Sequence, residues 1–125
     1  MTTVYKAGRS LVVHATTTGR DALDQAMASV PGSKKGCIAQ MKRLIERLAD
    51  VGYLRSPDQW NTEGDGIYAI KARCGLRAYG WFANESSGKV FIIGHATLKK
   101  KQKVDRQDLQ KTQDERERYR TRGRE

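Results

Sequence analysis

The chain has little of what builds secreted or membrane-embedded proteins. It holds two cysteines, Cys37 and Cys74, without CxxC spacing and too few for a disulfide framework. Both read as reduced, structural thiols, Cys37 on the apolar side of a predicted helix and Cys74 in a tight turn. The two histidines, His14 and His95, have no Cys, Asp or Glu nearby at ligand spacing, so neither a metal site nor a cofactor is expected. No apolar run approaches the ~20 residues a membrane span needs. The opening MTTVYKAGRSLVVH has too short an apolar part for a signal peptide, so a cytoplasmic location is expected. Repeats are absent. Acidic residues are scarce too, 14 against 24 Lys and Arg, for a net charge of +10.

That shortage is uneven. Residues 71–103 carry eight Lys/Arg and a single acid, Glu85. Most of the excess positive charge therefore falls on one predicted sheet and its exit, an electrostatic footprint for a polyanion.

A chain of 125 residues suits one domain with a real core. Residues 10–14 (SLVVH) read as a first strand that starts as early as Val4. Thr18 and Asp21 form a weak capping box for a helix with Ala22, Leu23, Ala26, Met27 and Val30 at helical spacing, stopped by Pro31-Gly32. Ser33 is the expected N-cap of a second helix. Its apolar stripe is Ile38, Met41, Leu44, Ile45, Leu48 and Val51, and Gly52 supplies the stop. Residues 53–65 read as a connector whose Trp60 is either a stacking platform for a base or a lid on the core.

Three strands follow. Period-two alternation puts Ile67, Ala69, Lys71 and Arg73 on one side of the first, and Arg77, Tyr79 and Trp81 on one side of the second. In the third, Val90, Ile92, Gly94, Ala96 and Leu98 are all apolar or small and are expected to face the helices. Phe91, Ile93, His95 and Thr97 then lie opposite. The other, partly wet face would gather Lys71, Arg73, Arg77, Tyr79 and His95. Residues 105–120 read as a polar helix that docks weakly, with Asp105 and Asp108 near its start and Arg116, Arg118 and Arg120 near its end matching the dipole. The expectation is an α+β fold: an N-terminal strand and two helices packed on an antiparallel sheet. Residues 1–104 form the core of one domain, 105–120 its C-terminal helix and 121–125 a disordered tail.

The order of elements and three segments resemble the RelE/HigB-like toxins of bacterial type II toxin–antitoxin systems, in particular the phage-derived subgroup close to HigB. The segments are Ile67-Tyr68-Ala69-Ile70-Lys71, Leu76-Arg77-Ala78-Tyr79, and His95-Ala96-Thr97-Leu98-Lys99-Lys100-Lys101-Gln102-Lys103. The KK-x-QK run after an apolar strand is the most specific of them; Arg116 and Tyr119 resemble the family's basic end with its terminal aromatic. The likeness spans residues 34–119. Ala69 stands where the family usually has Glu, and Thr97 where it usually has Phe.

The resemblance implies a small RelE-like fold and a metal-independent endoribonuclease that cuts mRNA, often on the ribosome. It also implies a cognate antitoxin, usually a helix-turn-helix protein. Attack of a ribose 2′-OH on the adjacent phosphate needs a base, cations on the pentavalent phosphorane and an acid for the departing oxygen. By analogy, Lys71 and Arg77, with Arg73, clamp the phosphate, and His95 is the proton-transfer group. Lys99, Lys100, Lys101 and Lys103 hold the flanking backbone, while Tyr79 and Tyr119 stack a base or position a proton. His95 reads equally well as a core histidine, and the lysine run as a solvated charge run. The competing function is a toxin-fold binder without nuclease chemistry, either a ParE-like gyrase inhibitor or a basic RNA-binding module. A plain DNA-binding regulator is weaker, because the charge lies on the sheet rather than on a recognition helix.

Overall fold

Two long stretches rich in β-branched and aromatic residues, Leu76–Glu85 and Gly88–Leu98, pair as an antiparallel hairpin at the centre of the sheet. They are β5 and β6 of a computed structural model that describes residues 2–99 and 106–122. In chain order the other elements are β1 (Thr2–Ala7), β2 (Val12–Thr16), α1 (Thr17–Ala28), α2 (Gly36–Val51), β3 (Trp60–Gly64), β4 (Ile67–Lys71) and α3 (Arg106–Arg122). The fold is α+β, as expected. Among the described residues the sheet has six strands in the order β1-β2-β6-β5-β4-β3.

The sheet is mixed rather than wholly antiparallel. β2 runs parallel to β6, with Val12 opposite Val90 and Ala15 opposite Ile93. What reads as one first strand is two, because β1 folds back on β2 as an antiparallel edge. The supposed connector contributes β3, whose Trp60 lies opposite Ile70. Trp60 is 5% exposed and stacks on Tyr68 with ring centroids 4.4 Å apart, so it is a lid on the core and not a base platform.

Helices α1 and α2 cover one face. Thr16, two residues before the expected cap, is the N-cap of α1, its Oγ1 accepting from the Gly19 N–H at 2.9 Å. Gly19 presses on the Ile93 carbonyl and the Gly94 Cα, where any side chain would meet backbone, so α1 lies directly against β6. A short 3-10 turn, Gly32–Lys34, precedes α2 and displaces Ser33 from the capping position. The α2 stripe of Met41, Leu44, Ile45 and Leu48 is buried against Ile70, Leu76, Phe91 and Ile93. The helix ends at Gly52, whose N–H donates to the Leu48 carbonyl at 2.8 Å.

Two expectations about faces fail for one reason. Tyr79 lies opposite His95 but Gly80 lies opposite Ile93, so Gly94 is an extra, unpaired residue. This bulge reverses the alternation within β6. Phe91 and Ile93 face α1 and α2, whereas Val90 and Ile92 pack in a cluster on the opposite side with Trp81 and Tyr119. Beyond Gly94, Ala96 belongs to the helix-side core, leaving His95 on the second face.

That second face is not open. Helix α3 lies across it, burying Asp108, Thr112, Glu115 and Arg116 and half-burying Leu109 and Tyr119. These positions recur every three or four residues, so the docking stripe is helical in period but polar in content. It docks by matched pairs rather than by apolar area. Asp108 meets His95 and Lys99, Glu115 meets Thr16, Arg116 pairs with Asp65, and the Tyr119 O–H donates to Glu85 at 3.3 Å. The helix runs to Arg122, into the stretch expected to be a disordered tail.

The cysteines are bonded to each other, contrary to the expected free thiols. The Cys37–Cys74 disulfide ties the first turn of α2 to the β4–β5 turn, with Cα atoms 6.0 Å apart. Neither residue is near the other in sequence, and only the packing of α2 on the sheet brings them together. Among the described residues no helix is long and apolar enough to cross a membrane.

Candidate nucleic-acid interface

Cross-strand register assembles the site. Lys71 on β4 lies opposite Arg77 on β5, and Arg77 lies opposite Thr97 on β6. One step along the same face, Ala69 opposes Tyr79 and Tyr79 opposes His95. Four of the expected site residues, Lys71, Arg77, Tyr79 and His95, thus share the α3 face of three adjacent strands. Lys99 leaves the end of β6 beside them, its Nζ 5.9 Å from the centre of the Tyr79 ring.

The Arg77 guanidinium is half-buried and donates to the carbonyls of Ala72 at 3.1 Å and Leu76 at 3.3 Å. Burial pushes its pKa below the ordinary arginine value, opposed by Tyr79 and Glu63. It stays cationic, since an arginine does not lose its proton in proteins. With the Asn61 amide turned so that Oδ1 faces β4, that oxygen accepts from Lys71 Nζ at 3.1 Å.

His95 Nε2 lies 2.8 Å from Asp108 Oδ1, and the two side chains are 12% and 9% exposed. The contact holds the imidazole ring against the first turn of α3. Asp108 also pairs with Lys99 through Oδ2 at 3.4 Å. Asp108 is therefore more than a match for the helix dipole. The polar stripe it shares with Thr112, Glu115 and Arg116 was the clue to a buried role.

Other expected residues lie apart. Arg73 is exposed in the β4–β5 turn, on the side of α2 rather than with Lys71, and its backbone N–H donates to Gln40 Oε1 at 2.9 Å. The cause is that β4 ends at Lys71 and alternation stops there. Tyr119 stacks on Trp81 at 5.9 Å, about 16 Å along α3 from Asp108 at the helical rise. Lys100, Lys101 and Lys103 lie outside the described residues. Ala69, where the resemblance expects Glu, is 1% exposed and packs with Ile67 and Tyr79 against Leu109.

The far end of α3 is chemically different. A hollow of about 450 Å³ there is lined by Thr16, Thr18, Glu85, Glu115, Arg118 and Tyr119. Its two carboxylates disfavour a phosphate. Burial alone would raise the Glu115 carboxyl, but hydrogen bonds from Arg118, Thr16 and Thr18 outweigh it and hold the group below the usual carboxylate range. A carboxyl depressed in the folded state stabilises fully above about pH 4.3, its unfolded value, and loses that contribution as pH falls through the depressed one. On acidification, Trp81 fluorescence is therefore expected to report α3 leaving the sheet below pH 4.3. Glu115→Gln should shrink that step; an unchanged step would show that Glu115 does not hold the helix.

Among the described residues no three His, Cys, Asp or Glu side chains converge as metal ligands. No protein-family model, no curated protein and no solved structure matches this chain. Fold and site alone therefore define its class: an α+β domain with a cationic cross-strand ladder partly roofed by its C-terminal helix.

Proposed function

We propose that this protein is the toxin component of a type II toxin–antitoxin system, an endoribonuclease that cuts mRNA on the ribosome. The observation that carries this reading is the register that sets Lys71 opposite Arg77 and Tyr79 opposite His95 on one sheet face. In this mechanism Lys71 and Arg77 grip the phosphate and stabilise the charge that builds on the phosphorane. His95, released from Asp108, takes the 2′-OH proton while the 2′-oxygen bonds to phosphorus. The bond from phosphorus to the 5′-oxygen breaks, the Lys71 ammonium gives that oxygen its proton, and a 2′,3′-cyclic phosphate and a 5′-hydroxyl result. Asp108 stands between His95 and Lys99, where a phosphate oxygen would bind, so the first turn of α3 has to lift for RNA to enter. An antitoxin of helix-turn-helix type, with acidic residues against the cationic face, would complement the ladder.

One observation favours a second reading, a toxin-fold binder without chemistry: Asp108 engages both His95 and Lys99. Induction in cells followed by mapping of RNA ends separates the two. New 5′ ends inside translated codons are expected. Intact mRNA together with broken DNA would replace the nuclease reading with a gyrase-directed one.

A further inference from the structure

On the opposite side of the β4–β5 turn from the ladder, α2 and the turn enclose an open hollow of about 570 Å³. Its lining includes Ser33, Lys34, Gln40, Arg43 and Arg73, and its walls are joined by the Cys37–Cys74 disulfide. No acid lines it. Lys34, Arg43 and Arg73 are exposed, and none of the three forms an ion pair among the described residues. Three like charges turned into one concavity repel each other, and an anion seated among them removes that cost.

The hollow is also preformed. Besides the disulfide, the Arg73 N–H donates to Gln40 Oε1 at 2.9 Å, and the Lys99 N–H donates to the Gly75 carbonyl at 2.8 Å. Gly75 takes φ +99°, and a side chain there would run into the Lys99 carbonyl. Fixed walls reduce what a ligand loses in ordering its site. The two arginine forks can each give paired donors to the oxygens of a phosphate.

We propose that this hollow is a second phosphate-binding site, and that its ligand is a phosphodiester of the same RNA strand that crosses the ladder. Continuity argues for the strand over free phosphate. Arg73 follows Lys71 by two residues, so their Cα atoms are at most about 7 Å apart. A backbone passing over the β4–β5 turn would go from Lys71 and Arg77 on one side to Arg73, Arg43 and Lys34 on the other. The identity of the ligand rests on the nuclease reading above; the presence of an anion site does not.

The test measures binding of a single-stranded 2′-O-methyl RNA, which cannot be cut, by fluorescence anisotropy across a salt series. Each phosphate contact on a single strand contributes about 0.7 to the slope of log affinity against log salt. Arg43→Gln with Arg73→Gln is expected to lower that slope by about 1.4, two contacts' worth, and to weaken binding about tenfold at moderate salt. Lys34→Ala, at an exposed position, should lower it by about 0.7 and serves if the double variant folds poorly. Lys111→Gln with Arg120→Gln removes equal charge from exposed positions of α3. An equal loss in that control, or affinity of the Arg43/Arg73 variant within twofold of the parent, would overturn the site. Inorganic phosphate or an acidic peptide that binds at the hollow of the parent without displacing RNA would keep an anion site there and overturn the RNA strand as its ligand. Because the probe is uncleavable, a protein that binds through Arg43 and Arg73 but never cuts RNA would keep this site and sink the nuclease reading.

Discussion

Replacing Arg77 with alanine is expected to slow RNA cleavage by about 10²- to 10³-fold, the usual cost of losing one preorganised donor to a developing oxyanion. Lys71→Ala should fall in the same range. Arg77 is half-buried and held by the Ala72 and Leu76 carbonyls, so its guanidinium is in place on the α3 face of the sheet without a ligand. Lysine at this position keeps the charge but loses the planar pair of donors, and should recover only part of the rate. The two losses should not multiply in the double variant, because in the proposed mechanism both side chains hold one phosphate. Single-turnover cleavage of a defined RNA, with growth inhibition in cells, reads the effect. If both variants stay folded and as inhibitory as the parent, the ladder is not the site.

Loss of the disulfide is the second large effect. Cys37 and Cys74 are 37 residues apart, and a crosslink closing such a loop stabilises by about 4 kcal/mol through the unfolded chain. Against the ~5–15 kcal/mol typical of a domain, that is a substantial share. Cys37→Ser with Cys74→Ser should lower the melting temperature by on the order of 10–15 °C. Dithiothreitol should reproduce the shift in the parent and leave the double variant unmoved. A parent that melts identically with and without reductant would show that the two sulfurs are not joined in solution.

Local pattern carried the reading of the fold where one face of an element is apolar. The α2 stripe, the β4–β6 meander and the Gly52 stop were legible because residue spacing alone specifies them. β3 was not, since Asn61, Thr62, Glu63 and Gly64 look like a loop and become a strand only because β4 offers an edge. The parallel pairing of β2 with β6 has no local signature. The Gly94 bulge was hidden for a different reason: both faces of β6 are apolar, so alternation could not show which residues turn inward. In the site, Lys71, Arg77, Tyr79 and His95 were found from alternation on neighbouring strands. Arg73 was misplaced by extending that alternation past the strand end. Asp108 was missed because a buried carboxylate on a polar helix resembles a solvated one until its partners are in view.

The pairing of residues 12–15 with residues 90–93 has a consequence for how the protein comes into being. Residues 12–15 are made well before residues 90–93 and have no central strand partner until those follow. The loop between them is long, and ordering it must wait for that late arrival. A nascent chain therefore cannot close its sheet before residues 90–93 have been made.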